Sequence, residues 1–250
     1  MNTANRFLLL AGLISLTACS KNPDGLSPDP GKLQAGFVKG HVVDTQGRPL
    51  AGATIIANSA THYNDTNMGI SDANGNYKIS LPNGPAVGAF YVRGSVKLKS
   101  DNNTYKLALF TEDDGTFMPD EGAVKNLRLE LTGERTGNFG DDGYYGGTLE
   151  VGNYTRNSQF PNIEVTLVPV GPLVDGSVGD VQIAQPDWFY SYNIPLGTYK
   201  VTARDVTTNQ PLKVKLKRDY KGGYQPSITT TFAPILADSD RYELAIEVGD

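Results

Sequence analysis

Residues able to do chemistry are few in this chain. Of its 250 residues, two are histidines, His41 and His62, and one is a cysteine, Cys19. His41 lies in the alternating stretch Phe37-Val38-Lys39-Gly40-His41-Val42-Val43-Asp44 and reads as an ordinary strand residue. His62 lies in the polar run Thr61-His62-Tyr63-Asn64-Asp65-Thr66-Asn67. Neither H-x-x-x-H nor H-E-x-x-H occurs, so a zinc site lacks its usual ligands. No G-x-S-x-G elbow is present, although a spatial Ser-His-Asp triad would leave no such trace. Carboxylates are more plentiful. Asp113, Asp114, Asp120 and Glu121 crowd one acidic segment, and Asp141 and Asp142 follow. Calcium needs six or more oxygens converging on one point, which makes these loops weak calcium candidates. None fits D-x-[DN]-x-[DN]-G-x5-E, and Asp72-Ala73-Asn74-Gly75-Asn76 opens like such a loop without its closing acid. They read as solvated loops, and no metal or cofactor is expected. No glycosidase-like carboxylate pair can be identified either. The chain is therefore expected not to be an enzyme, with a hydrolase whose residues are scattered over loops as the remote alternative.

The aromatics are the other candidates. Trp188, Phe189, Tyr190 and Tyr192 crowd one stretch, and Tyr144 and Tyr145 stand near mid-chain. In a strand Trp188, Tyr190 and Tyr192 share a face and Phe189 opposes them. Trp188, at the strand's start, is the candidate ligand-binding residue together with Tyr144 and Tyr145, because exposed aromatic faces stack on sugar rings. Tyr190 and Tyr192 are expected in the core.

That expectation comes from a repeat. Tyr77-Lys78-Ile79-Ser80-Leu81-Pro82-Asn83-Gly84 alternates apolar and polar and stops at Pro and Gly, as a strand feeding a turn does. Tyr190-Ser191-Tyr192-Asn193-Ile194-Pro195-Leu196-Gly197 places Tyr, apolar, apolar, Pro and Gly at the same offsets. Two copies of one β-module are the simplest account. Composition agrees, with 28 Gly, 15 Pro and 13 Tyr. In the first module, about residues 36–132, strands are expected at 37–44, 52–58, up to 71, 77–81, 88–99, 104–111 and 124–132. A Gly/Asp/Asn-rich linker spans 133–144. In the second module, residues 145–250, seven strands are expected at 146–151, 162–168, 188–194, 197–204, 212–217, 228–232 and 242–248, with a long loop at 169–185. Net charge is −5 and the sequence pI about 5.1. No basic stripe of the kind that footprints nucleic acid is present. Lys213 to Lys217 alternates with Val214 and Leu216, as a strand with one solvated cationic face does.

The pattern G-x-V-x-D-x-x-G-x-P-L-x-G-A-x-I, followed by S-D-A-N-G-N-Y-x-I-x-L-P-N-G, runs in order from Gly40 to Gly84. It resembles the carboxypeptidase regulatory-like domain. That resemblance implies a prealbumin-like (transthyretin-like) β-sandwich for the first module, and with the repeat the expected fold is all-β, two tandem Greek-key sandwiches of this type. It also implies an accessory module with no catalytic residues, and fold alone does not settle function.

At the N-terminus, Arg6 precedes the apolar run Phe7–Leu16, too short for a comfortable membrane span. Leu16-Thr17-Ala18-Cys19 then resembles the lipobox of bacterial lipoproteins. The resemblance implies a signal peptide at 1–18, a lipid on Cys19 and membrane attachment through it. With Ser20 rather than Asp after the cysteine, it also implies sorting to the outer membrane. Residues 19–35, rich in Pro and Gly, read as a tether, reaching roughly 50 Å if extended. The expected function is a lipid-anchored, non-catalytic binding or structural module of the envelope, with an envelope protein or a glycan as partner.

Overall fold

The computed structural model describes residues 32–62, 64–82 and 84–250. The signal peptide, Cys19, nearly all of the tether, Tyr63 and Asn83 lie outside the described residues. The first module contains β1 (Phe37–Val43), β2 (Thr54–Ser59), β3 (Thr66–Ile70), β4 (Asn76–Ser80), β5 (Phe90–Ser100), β6 (Asn103–Thr111), β7 (Ala123–Val124) and β8 (Leu127–Leu129). The second contains β9 (Gly147–Asn153), β10 (Ile163–Leu173), β11 (Gln182–Ala184), β12 (Tyr190–Ile194), β13 (Gly197–Asp205), β14 (Pro211–Leu216), β15 (Ile228–Thr231), β16 (Ala233–Pro234) and β17 (Tyr242–Gly249). The fold is all-β, two tandem sandwich modules, as expected.

The repeat is visible in the topology. Strand order is β3-β2-β5-β6-β8-β1-β4 in the first module and β11-β10-β13-β14-β17-β9-β12 in the second. Read position by position, the two orders match, with β4 in the place of β12 and β8 in that of β17. The sense of each pairing matches too: β1 with β8 and β9 with β17 are parallel, and the rest of both paths is antiparallel. Period-2 alternation builds the cores, Tyr105, Leu107 and Leu109 pointing inward from β6 and Ile163, Val165 and Leu167 from β10.

Gly40 shows why one position is fixed. A Cβ there would collide with the carbonyl oxygen of Lys125 and lie 3.0 Å from the Tyr77 ring. The close approach lets the Tyr77 hydroxyl donate to that same oxygen at 2.6 Å. Burial pushes the Tyr77 hydroxyl far above its ordinary pKa, so it stays a donor.

Three strand expectations are corrected. The predicted strand at 124–132 is split into β7 and β8, both pairing with β1. The predicted loop at 169–185 contains the end of β10 and all of β11. The strand at 228–232 exists as β15, but it is an addition rather than one of the seven. β14 pairs with β13 only at Leu212 and Pro211 before leaving for β17, and β15 takes the vacated stretch of β13 from Thr198 to Val201.

The chain enters the first module beside the 112–122 loop, where the Gly36 N–H donates to Pro119 O at 2.7 Å. The second module docks at the opposite end. Tyr242 OH accepts from the Lys106 N–H at 2.6 Å and donates to Lys106 O at 3.2 Å. Tyr105 and Tyr242 rings meet at 5.3 Å, and Tyr105 OH bonds Thr231 Oγ1 at 2.9 Å. Residues 133–144 are mostly exposed and are tied to both modules at a few points. Buried Arg135 pairs with Asp141 and Asp240 at 3.0 Å each, and Phe139 stacks on Tyr91 at 3.9 Å.

Candidate functional site

β12 is an edge strand of the second module, and a single extra residue decides what it displays. Ser191 stands opposite Leu149 and Ile194 opposite Gly147, so Tyr192 and Asn193 together oppose Thr148. This is a β-bulge, and a one-residue slip sends side chains to the other face. Asn193 carries the bend at φ 67, a left-handed conformation that Asn tolerates. Its Oδ1 accepts the Gly133 N–H at 2.7 Å, fixing the bulge to the inter-module segment. In β4 the register runs without interruption, Tyr77 opposite Gly40 and Ile79 opposite Val38. Tyr77 is therefore 3 % exposed, whereas Tyr192 is 55 % exposed. The expectation that Tyr190 and Tyr192 are core is corrected: the bulge turns both outward, and Ile194 and Leu196 take the buried places.

The outward tyrosines are part of a continuous aromatic row. Tyr144 and Tyr192 lie 5.8 Å apart at 20° between planes, and Tyr192 and Tyr190 6.0 Å apart at 25°. Phe189 meets Tyr190 edge-on at 6.5 Å, and Phe160 meets Phe189 at 5.8 Å. Phe160 packs on the core and roots the row. Trp188 projects beyond it, 72 % exposed and at φ 60. A bulky residue in that conformation costs on the order of 1–2 kcal/mol, a strain that is retained where surrounding structure imposes it and that clusters at functional sites. The row begins at Tyr144, beside the junction, and ends at Trp188, at the far end of the module.

Polar groups border the row. Thr148 and Glu150 of β9 lie alongside Tyr192 and Tyr190 on the same outer face. Glu150 bonds the Lys217 ammonium, which holds that ammonium above the ordinary lysine value and hence charged. Aromatic rings flanked by hydrogen-bonding and charged groups form a surface for a ligand with apolar faces and polar edges, and contiguous exposed apolar groups of this kind mark interaction sites.

The other predicted site residues are dispersed. Tyr145 is only 6 % exposed. Its ring packs edge-on against Phe110 at 6.2 Å and lies under Arg135, so it is corrected from a surface group to an interior one. Burial and the nearby Asp141 carboxylate push its hydroxyl up to about 12, and that hydroxyl has no hydrogen-bond partner among the described residues. Of the calcium candidates, Asp113 pairs with buried Lys125 at 2.7 Å, Asp114 accepts from Asn138 Nδ2 at 2.6 Å, and Asp120 and Glu121 are exposed. Asp141 is held by Arg135, and no group of three or more His, Cys, Asp or Glu side chains converges among the described residues. His41 bonds Asn76 at 3.2 Å and His62 bonds Thr61 at 2.9 Å. Among the described residues no helix is long and apolar enough to cross a membrane. Sequence reasoning missed Phe160 as the root of the row and the outward turn of the tyrosines. The one signal for the latter was Asn193, a residue tolerant of left-handed backbone just ahead of Ile194-Pro195.

No family model matches the chain, and no curated protein matches it. Several solved structures are similar at low scores, three of them as follows. The Bacillus anthracis TIE protein aligns over 86% of this chain and 34% of its own, with 14% identity and a TM-score of 0.32. This chain thus spans about a third of that protein. The major pilin subunit of Bacillus cereus aligns over 87% of this chain and 100% of its own, with 10% identity and a TM-score of 0.24. A C-terminal fragment of the pilus adhesin SpaC from Lactobacillus rhamnosus GG aligns over 86% and 97%, with 12% identity and a TM-score of 0.25. At these values the likenesses carry no functional information.

Proposed function

We propose that this protein is a non-catalytic binding module of the bacterial envelope that captures a glycan chain along the aromatic row of its second sandwich. The observation that carries this reading is the outward turn of β12, which lines up Tyr144, Tyr192, Tyr190 and Phe189 with Trp188 beyond them on an exposed edge. A strand whose equivalent supplies core has here been converted to display. Sugar rings have apolar faces and polar rims, which the tyrosines and the flanking Thr148, Glu150 and Lys217 complement.

The first module belongs, in this reading, with the carboxypeptidase regulatory-like family by its Gly40–Gly84 motif. It serves as a spacer and support. Lipidation of Cys19 and outer-membrane location are part of the same proposal and rest on the Leu16–Cys19 pattern and Ser20. A lipid at the N-terminal side agrees with the chain entering the first module at the end away from Trp188.

Affinity electrophoresis through a panel of polysaccharides tests the binding claim. Retardation of the wild type by at least one glycan, lost in Trp188→Ala and in the Tyr190→Ala/Tyr192→Ala double variant, is the expected result. A wild type that no polysaccharide retards, yet that crosslinks to an envelope protein through the same tyrosines, would replace the glycan with a protein partner. Cys19→Ala should release the protein from membranes; a variant that still partitions fully with them would remove the lipid anchor from the proposal.

A further inference from the structure

A cleft of about 150 Å³ lies at the junction end of the aromatic row, lined by Tyr144, Tyr192, Thr148, Ile235 and Arg241 among others. Arg241 immediately precedes β17 and is fixed by its backbone: its N–H donates to Ser239 Oγ at 3.0 Å, and its carbonyl accepts the Ile235 N–H at 3.0 Å. Its side chain runs across the inter-module segment. Nη2 donates to Asp142 O at 2.6 Å. Gly143, at φ +90, leaves the room, because a Cβ there would come within 3.0 Å of Nη1. The guanidinium is thus held against the cleft wall by one hydrogen bond, while Nε and Nη1 have no acceptor among the described residues.

Four nearby carboxylates are paired elsewhere, while those of Asp142 and Glu134 are exposed and make no ion pair among the described residues. Asp141 and Asp240, close in the chain to either side of the contact, both pair with Arg135 at 3.0 Å. Asp238 pairs with Lys106 at 3.1 Å and Lys97 at 3.6 Å, and Glu243 with Arg218 at 3.6 Å. Arg241 makes no ion pair among the described residues. A guanidinium is a planar fork that donates to both oxygens of a carboxylate at once, and Arg241 is exposed beside Tyr144, Tyr192 and Ile235.

We propose that this cleft is a carboxylate subsite, so that the glycan captured along the row is an acidic one, built with uronic-acid-type sugars, and Arg241 reads the carboxylate while Tyr192 and Tyr144 hold the ring. The inference rests on the glycan-binding reading above and narrows it to a substrate class.

The test is a glycan array carrying polygalacturonate, alginate and hyaluronan beside neutral xylan and galactan, followed by calorimetric titration of the best hit. The expected outcome is an acidic hit whose affinity for the wild type falls at least tenfold when its carboxyls are methyl-esterified, and falls again as salt is raised. That arm needs no variant. Arg241→Gln should lose affinity by a similar factor with an unchanged urea-unfolding midpoint, and Arg241→Lys should recover only part of it, keeping charge without the fork. Neutral hits alone would overturn the carboxylate subsite and leave the glycan-binding reading standing. An acidic hit indifferent to esterification would do the same. No hit of either kind would bring down the glycan-binding reading itself, and the subsite with it.

Discussion

β4 and β12 hold the same place in two sheets of identical strand order, next to β1 and β9 respectively, and face opposite ways. In β4 the tyrosine is interior and its hydroxyl closes onto the Lys125 carbonyl across the gap left by Gly40. In β12 the tyrosines are exterior, and the difference is one inserted residue at Asn193. Duplication supplies a stable frame twice, and a bulge then releases one copy of a core strand for display, at little cost to the fold because Ile194 and Leu196 fill the vacated interior. The lesson is that a recurring motif marks equivalent positions in the chain without fixing which side of the sheet those positions address.

The largest test of this contrast is truncation of the two tyrosines. Tyr77→Ala should destabilise by about 3–5 kcal/mol, the range for an aromatic removed from a core. Tyr192→Ala should stay within about 0.5 kcal/mol, as surface changes do. Urea unfolding measures both, and similar costs for the two would erase the distinction between buried and displayed strands. Tyr242→Phe comes next. It removes an acceptor and a donor from the Lys106 backbone at the junction and should cost about 1–3 kcal/mol by leaving those groups unsatisfied. A midpoint unmoved by this change would mean that water reaches the junction. Asn193→Gly keeps the left-handed bend and loses only the bond to Gly133, for about 1 kcal/mol, while glycan retardation should persist. Asn193→Val, strained at φ 67, should cost more than Asn193→Gly; the reverse order would deny the bulge its role.

The smallest effect concerns acid and the first module alone. The hydrogen bond from Lys125 holds the Asp113 carboxyl below its usual range. Its stabilising contribution is present above the unfolded pKa of about 3.9 and is lost as pH falls through the lower folded value. Because Asp113 is largely exposed, solvent screening keeps this contribution modest. Comparing urea midpoints from pH 6 to pH 2, Asp113→Asn should show a flatter acid limb than the wild type. Coincident limbs would mean that the pair adds nothing.

Much of the frame was legible in the residues. Alternation in Phe37–Val43 and Tyr105–Leu109, the Asp-Ala-Asn-Gly-Asn turn before Tyr77, and the recurrence of Tyr77–Pro82 at Tyr190–Pro195 all carry local signals, and the corresponding strands formed. Three things had no local signal strong enough. β11 is three residues whose pairing is supplied by β10. β15 looked like a member of the repeat because its Thr-rich sequence favours a strand anywhere, yet its place is set by where β14 departs. The aromatic row depends on a register set by contacts far away in sequence, with Asn193 bonded to Gly133. Arg241 gave no hint at all, since its importance lies in the pairing of Asp141 and Asp240 with a different arginine.

The direction of the strands has a mechanical consequence. In the second module β9 runs from the junction toward the end that carries Trp188, paired with β12 on one side and with β17 through six consecutive positions on the other. The ladder's hydrogen bonds lie across the strands. A ligand tugging on Trp188 against a hold at the junction would therefore pull along the strands and load many of those bonds together, instead of opening them one after another. Force spectroscopy with handles at the junction and at residue 188 would read this as one high rupture peak, and a low plateau would refute it.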